Sequence, residues 1–278
     1  MTEYIIKIQS EDQIGLVYRI TKIMFDNNLN VIDTTEFVDT DSKLFFMRLV
    51  VSGEIEVSDL NKSLEDELGS EVKVLIRKKN ERKNVVIMVT KEIHCIGDIL
   101  IRHLSDELNI NICAVIGNHD NLRSFVEKFG LKYHTISHEG LSREEHEEKI
   151  QETLDSYNPD IIVLAKYMRI LSEEFVNKYN EKILNIHHSF LPAFIGANPY
   201  HRAHQRGVKL IGATAHIVTK SLDEGPIITQ NVEPVDHNLS IDDLILLGKD
   251  VEKIVLAKAL NLIIDDRVFV NSNKTIIL

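Results

Sequence analysis

Cysteine is scarce in this sequence: Cys95 and Cys113 are the two present in 278 residues. Two thiols cannot staple a disulfide scaffold, and they show no C-x-x-C spacing for a metal. Positive charge is also in deficit. Basic residues number 32 against 43 acidic ones, a formal charge of −11, which argues against nucleic acid or an anionic membrane as main partner. No apolar run approaches the ~20 residues that span a bilayer. The start, Met1-Thr2-Glu3-Tyr4-Ile5-Ile6-Lys7, lacks the basic opening and long apolar stretch of a signal peptide. The expected setting is a reducing compartment, the cytoplasm. What is present is 44% hydrophobic and 27% charged, too apolar for a disordered chain and long enough for two cores.

The clearest break is Arg77-Lys78-Lys79-Asn80-Glu81-Arg82-Lys83-Asn84, which holds no apolar residue. Such a segment adds nothing to a core and reads as a linker, here residues 79–84. A basic binding patch is the other reading. Residues 1–78 read β-α-β-β-α-β. Tyr4 to Ile8 alternates, Leu16, Ile20, Ile23 and Met24 recur at helical spacing, and Leu60, Leu64 and Leu68 form a second stripe stopped by Gly69. The expected domain is a ferredoxin-like split βαβ sandwich with both helices on one face of an antiparallel sheet. Residues 85–278 have another rhythm. Val85–Val89, Ile112–Ile116, Ile161–Ala165 and Ile183–Ile186 are near-continuous apolar strands separated by helices, and a long apolar helix covers Ile241 to Ile264. That pattern predicts an α/β domain with a Rossmann-like, mostly parallel sheet, whose ligands bind outside the carboxyl ends of the strands.

Histidines point to the chemistry. Five of the twelve, His187, His188, His201, His204 and His216, fall within residues 187–216. In a strand, residues two apart share a face, so Asn185 and His187 project together and His188 points oppositely. Pro192, Gly196 and Pro199 then shape an irregular loop. Asp223 stands in a turn before a further apolar strand. An amide, an imidazole and a carboxylate can act on a carbonyl without metal, because amide and imidazole donate to a developing oxyanion while the carboxylate holds the imidazolium or takes a proton from water. Two other readings stay open. His187, His201, His204 and Asp223 could ligate zinc, although no H-x-x-x-H helix pair with a general-base Glu is present. Asn185 and Asp223 could merely cap turns.

Asn185-Ile186-His187 followed by Gly212-x-Thr214-x-His216-x-Val218 and Leu222-Asp223-x-Gly225-Pro226-Ile227-Ile228 resembles the signature of the formyltransferase family that uses 10-formyltetrahydrofolate. The resemblance implies Asn185, His187 and Asp223 as the catalytic triad. It implies a folate-binding segment at Ala165 to Leu171, with Met168, Arg169, Ile170 and Leu171 against the pterin and Thr219 to Leu222 as the opposite wall. Further stretches, His188 to Phe194, Gly207 to His216 and Gly117-Asn118-His119, are similar to the family's hydrolytic branch, in which water takes the formyl group. That branch releases formate and tetrahydrofolate, supplying formate and balancing one-carbon folate pools for purine synthesis. Ile195 and Asn198 stand where basic residues are usual, and Gly117 where a serine is usual. His119 either lines the formyl pocket or is an ordinary loop histidine. Amine transfer is the alternative activity, but the loop Thr90 to Asp98 has one glycine and two acids, a poor phosphate cradle. Residues 79–278 carry 23 basic and 28 acidic residues, which offers no RNA platform.

By the same resemblance no metal or cofactor is expected, the folate being substrate. Asp223 with a water is the expected base, its pKa raised by burial near the pterin. His187 and Asn185 would hold the oxyanion, with His216 behind them and His201 and His204 on a solvated or interface helix face. Residues 1–78 resemble an ACT domain, a ligand-sensing module. That implies an amino-acid effector near Asp12, Gly15, Leu16, Asn30 and Asp33, and a homo-oligomer of two or four copies. A non-catalytic folate or amino-acid sensor is the reading of another class.

Overall fold

The structure is a computed structural model and describes residues 1–192 and 199–278. The expected loop at Gly196, with Ile195 and Asn198, lies outside the described residues. The chain divides into two compact units, Met1–Glu81 with Asp265–Phe269 and Ile276–Leu278, and Arg82–Ile264 with Val270–Thr275.

In the first unit, β1 (Thr2–Glu11), α1 (Leu16–Asp26), β2 (Asn30–Asp39), β3 (Leu44–Gly53), α2 (Val57–Leu68) and β4 (Lys73–Lys78) follow in order. The sheet order is β2-β3-β1-β4, antiparallel at every pairing. Alternation explains the layering. Tyr4, Ile6 and Ile8 of β1 and Phe45, Met47, Leu49 and Val51 of β3 meet Leu16, Ile20, Ile23 and Met24 of α1 and Leu60, Leu64 and Leu68 of α2 in one core. The other face of β3 is also buried. Phe46 packs edge-on against Phe269 with centroids 5.6 Å apart, and Arg48 Nε donates to the Asp265 carbonyl at 3.0 Å. Cover on both faces is why β3 reads Leu-Phe-Phe-Met-Arg-Leu-Val-Val rather than alternating. The expected limits 1–78 and 85–278 therefore need extension: residues 265–269 belong with the first unit because they cover its second face.

The second unit has β5 (Lys83–Val89) as its first strand, which takes in the last two residues of the expected linker 79–84. It continues through α3 (His94–Leu104), β6 (Ile110–Gly117), α4 (Arg123–Glu127), β7 (Tyr133–Thr135), α5 (Arg143–Tyr157), β8 (Ile161–Leu164), α6 (Glu173–Lys178), β9 (Ile183–His187), α7 (Pro199–Arg206), β10 (Leu210–Ile217), β11 (Ile227–Pro234) and α8 (Ile241–Ile264). The last residues form β12 (Val268–Asn271) and β13 (Lys274–Ile277). The large sheet has order β11-β10-β9-β8-β5-β6-β7. From β9 to β7 every pairing is parallel, and β10 and β11 add an antiparallel edge. Ser142 caps α5 reciprocally with Glu145, satisfying two amide donors at the helix start. The architecture is the expected α/β one, with a mostly parallel Rossmann-like sheet.

Candidate active site

Strand pairing sets the first two side chains. Asn185 lies opposite His216 and His187 opposite Thr214 across β9 and β10. The return between β10 and β11 supplies the third. Ile217 N donates to the Pro226 carbonyl at 2.9 Å, and Asp223 adopts a left-handed φ of 57°. Gly225 is required by close approach, because a Cβ there would stand 1.8 Å from the Ile217 carbonyl oxygen. The outcome is Asp223 Oδ1 at 3.2 Å from His187 Nδ1.

Hydrogen bonding fixes how these groups point. The buried His216 ring has Nδ1 3.0 Å from the Ile217 carbonyl, so Nδ1 carries the proton and donates. Its Nε2, 3.1 Å from Asn185 Nδ2, must then accept from the amide. Burial pushes the His216 pKa down, in keeping with this neutral tautomer. The Asn185 amide is thereby held with its second N–H free for another acceptor. His187 donates through Nδ1 to Asp223, while its buried Nε2 has no protein partner. An orphaned buried nitrogen costs on the order of 1–3 kcal/mol, a cost that a ligand oxygen or nitrogen would remove.

The electrostatics depart from expectation at Asp223. Its carboxyl is held below the usual carboxylate range, not above it. The His187 hydrogen bond is the largest cause and outweighs burial, with the nearby imidazoles adding to it. His188 also departs. It does not face away: its ring stacks on His187 with centroids 4.9 Å apart and planes at 17°. Strand alternation stops at His187, where β9 ends.

Burial pushes the His188 pKa down to about 4 from 6.5, with the Lys166 and His187 charges adding to the effect. A histidine depressed in the folded state contributes stability that is present above pH 6.5 and is lost as pH falls toward 4. Allowing for partial exposure, the loss is roughly 2–3 kcal/mol. Urea midpoints measured from pH 7 to pH 4.5 should therefore fall less steeply for His188→Gln than for the unaltered chain. Parallel slopes would count against a buried neutral His188.

A cavity of about 320 Å³ joins these groups. Asn185, His187 and Asp223 line it together with Met168, Arg169, Ile170, Leu171, Thr219 and Leu222. The structure thus brings nine of the sequence-predicted residues to one place. Met168, Ile170 and Leu222 stay exposed despite being apolar, which gives a flat ring dry surfaces to pack on. Met168 N donates to Thr90 Oγ1 at 2.9 Å, tying this wall to the end of β5.

His119 is not among the cavity-lining residues. Its ring packs edge-on against His138 at 5.7 Å, and its carbonyl accepts from Tyr133 Oη at 2.5 Å. The glycine at 117 has a local reason, because a Cβ there would stand 1.8 Å from Tyr133 Oη. His201 and His204 are exposed on α7 and form no metal-like group with His187 and Asp223. In the first unit, Gly15 opens α1 at φ 82° with Leu16 buried behind it, and Asp12 N donates to the Lys43 carbonyl. Asn30 pairs with Ser52 at the other end of β3, and Asp33 faces Arg48 at 3.7 Å. Eight residues of strand separate those ends, about 26 Å. The five residues therefore share no single rim within one chain.

Sequence reasoning missed Lys166 and Glu252. Lys166 Nζ lies 3.2 Å from Glu252 Oε2, and Lys166 lines the cavity. The signal was a lysine directly after the apolar strand run Ile161 to Ala165.

Fold and site together define a formyl-transfer framework, and the chain belongs to the formyl transferase family, whose model matches residues 83–260. More particularly, it is similar to proteins named formyltetrahydrofolate deformylase. It is 50% identical to that of Haemophilus influenzae over 267 residues, 96% of each chain. It is 51% identical to that of Escherichia coli strain K12, over 96% of this chain and 95% of the relative. The crystal structure of a formyltetrahydrofolate deformylase from Pseudomonas syringae pv. tomato superposes with a TM-score of 0.96 at 37% identity, over 100% of this chain and 95% of that one. The glycinamide ribonucleotide transformylase 1 of Symbiobacterium toebii aligns with 71% of this chain and 94% of its own, with a TM-score of 0.68 at 26% identity.

Proposed function

We propose that the chain hydrolyses 10-formyltetrahydrofolate to formate and tetrahydrofolate. The observation that carries this reading is the orphaned His187 Nε2, held by Asp223 beside Asn185 in a cavity with an apolar wall. The pterin packs between residues 168–171 and 219–222, which brings the formyl group on N10 to the three side chains. Asn185 Nδ2 and the His187 ring donate to the formyl oxygen as it becomes an oxyanion. Water attacks the formyl carbon and passes a proton to Asp223. The C–N10 bond then breaks, and N10 takes a proton from His187. The His187 hydrogen bond lowers the Asp223 pKa, so the carboxylate faces the ring in its charged form.

Purified protein given 10-formyltetrahydrofolate and no amine is expected to release formate at stoichiometry with tetrahydrofolate. Turnover only with an added amine would identify a transferase instead, and turnover under neither condition a sensor. We further place the reaction in the cytoplasm, a setting supported by two free cysteines.

The first unit reads as a regulatory module that binds an amino acid between two copies of the chain. Its Asp12 and Asn30 ends are too far apart to share a ligand within one chain. An antiparallel pairing of two copies along the exposed edge strand β2 would bring them together. Ile32 and Phe37, 48% and 44% exposed on β2, supply the apolar contact such pairing needs.

A further inference from the structure

Lys166 follows β8 with a φ of 62°, a conformation glycine adopts freely and a lysine at a cost of about 1–2 kcal/mol. Its side chain is nine-tenths buried and ends 3.2 Å from Glu252 Oε2 on α8. Glu252 is 1% exposed and gathers two further partners, His94 Nε2 at 2.8 Å and the Tyr200 hydroxyl, which donates at 2.8 Å. Gly248, one turn earlier on α8, makes room for Tyr200, since a Cβ there would stand 2.1 Å from its oxygen. Burial pushes the Glu252 carboxyl up, but the His94 hydrogen bond, the Lys166 charge and Tyr200 outweigh it and hold it at about 2. His94, Cys95 and Glu252 have a spacing that could hold a metal ion, but the Lys166 ammonium already supplies the cation at this carboxylate.

Nothing in the hydrolytic steps uses this cluster, yet it borders them. Lys166 lines the same cavity as Asn185, His187 and Asp223. Its charge also depresses His188, whose ring lies on His187. A strained backbone, a buried carboxylate and a long side chain thus border the cavity that Asn185, His187 and Asp223 line.

We propose that Lys166, anchored on Glu252, is the residue that makes water the acceptor, its side chain filling the space beside His187 and His188 that an amine would occupy. The inference rests on the hydrolytic reading above. With that space opened, an unprotonated amine attacks the formyl carbon and gives a proton to Asp223. The C–N10 bond breaks, N10 takes its proton from His187, and an N-formyl amide leaves in place of formate.

The test compares two double variants of equal charge that differ in volume at position 166. Lys166→Gly/Glu252→Gln suits the backbone and opens the space, while Lys166→Met/Glu252→Gln keeps it filled. Neither leaves an uncompensated buried charge. Each is given 10-formyltetrahydrofolate with glycinamide, an amine of low basicity, and the ratio of N-formylglycinamide to formate is read by mass spectrometry. The glycine form should raise that ratio roughly a hundredfold over the unaltered chain, and the methionine form should stay within a few-fold of it. Formate as sole product of the glycine form, with the unaltered chain active, overturns the role of Lys166 alone. An unaltered chain that releases no formate defeats the hydrolytic reading first and this one with it. A glycine form that melts far below the methionine form would show residue 166 to be structural packing, and would equally overturn the proposal.

Discussion

Asp223→Asn is expected to lower formate release by about 10³-fold or more while folate binding survives. The substitution keeps the shape of the side chain and its place in the turn. It removes the negative charge that faces His187 Nδ1 at 3.2 Å. The imidazolium needed at N10 then loses its counter-ion, and the attacking water loses its proton acceptor. Both losses fall on the transition state, so they should appear in kcat and not in the affinity for a folate analogue. Single-turnover formate release and a binding titration on the same preparation separate the two. Activity within tenfold of the unaltered chain would take Asp223 out of the chemistry.

His187→Gln should cost about 10²–10⁴ in kcat, the range for loss of a positioned acid–base group. Glutamine is uncharged and can still donate to Asp223, but it cannot protonate N10. A second readout distinguishes this from simple misplacement. The His187 hydrogen bond is the largest reason that the Asp223 carboxyl sits below its ordinary range. With the imidazole gone, burial acts with less opposition and the Asp223 pKa rises. The acid limb of the residual pH–rate profile should therefore move to higher pH. An unmoved limb would mean that Asp223 is held down by something else.

Much of this arrangement was legible in the residues, and the rest was hidden for definite reasons. The helix over Ile241 to Ile264 follows from local apolar pattern, which needs only near neighbours. The pairing of Asn185 with His187 on one face needed only strand alternation. What local pattern could not supply was contact between distant segments. Lys166 meets Glu252, and His216 orients Asn185, only because β8, β9 and β10 lie side by side and α8 packs nearby. The direction of the Asp223 shift was missed for the same reason. Burial is a general expectation for a site residue, whereas the hydrogen bond that beats it depends on one distance. His188 was misplaced because alternation was carried one residue beyond the end of its strand.

The cover that Phe269 and Asp265 lay over β3 has a consequence for how the polypeptide matures on the ribosome. The sheet of β1 to β4 is translated with only its helical side protected, and Phe46 and Arg48 wait for partners encoded well downstream, Asp265 lying 217 residues after Arg48. A sheet that is made earlier is therefore completed only when that later stretch has followed it.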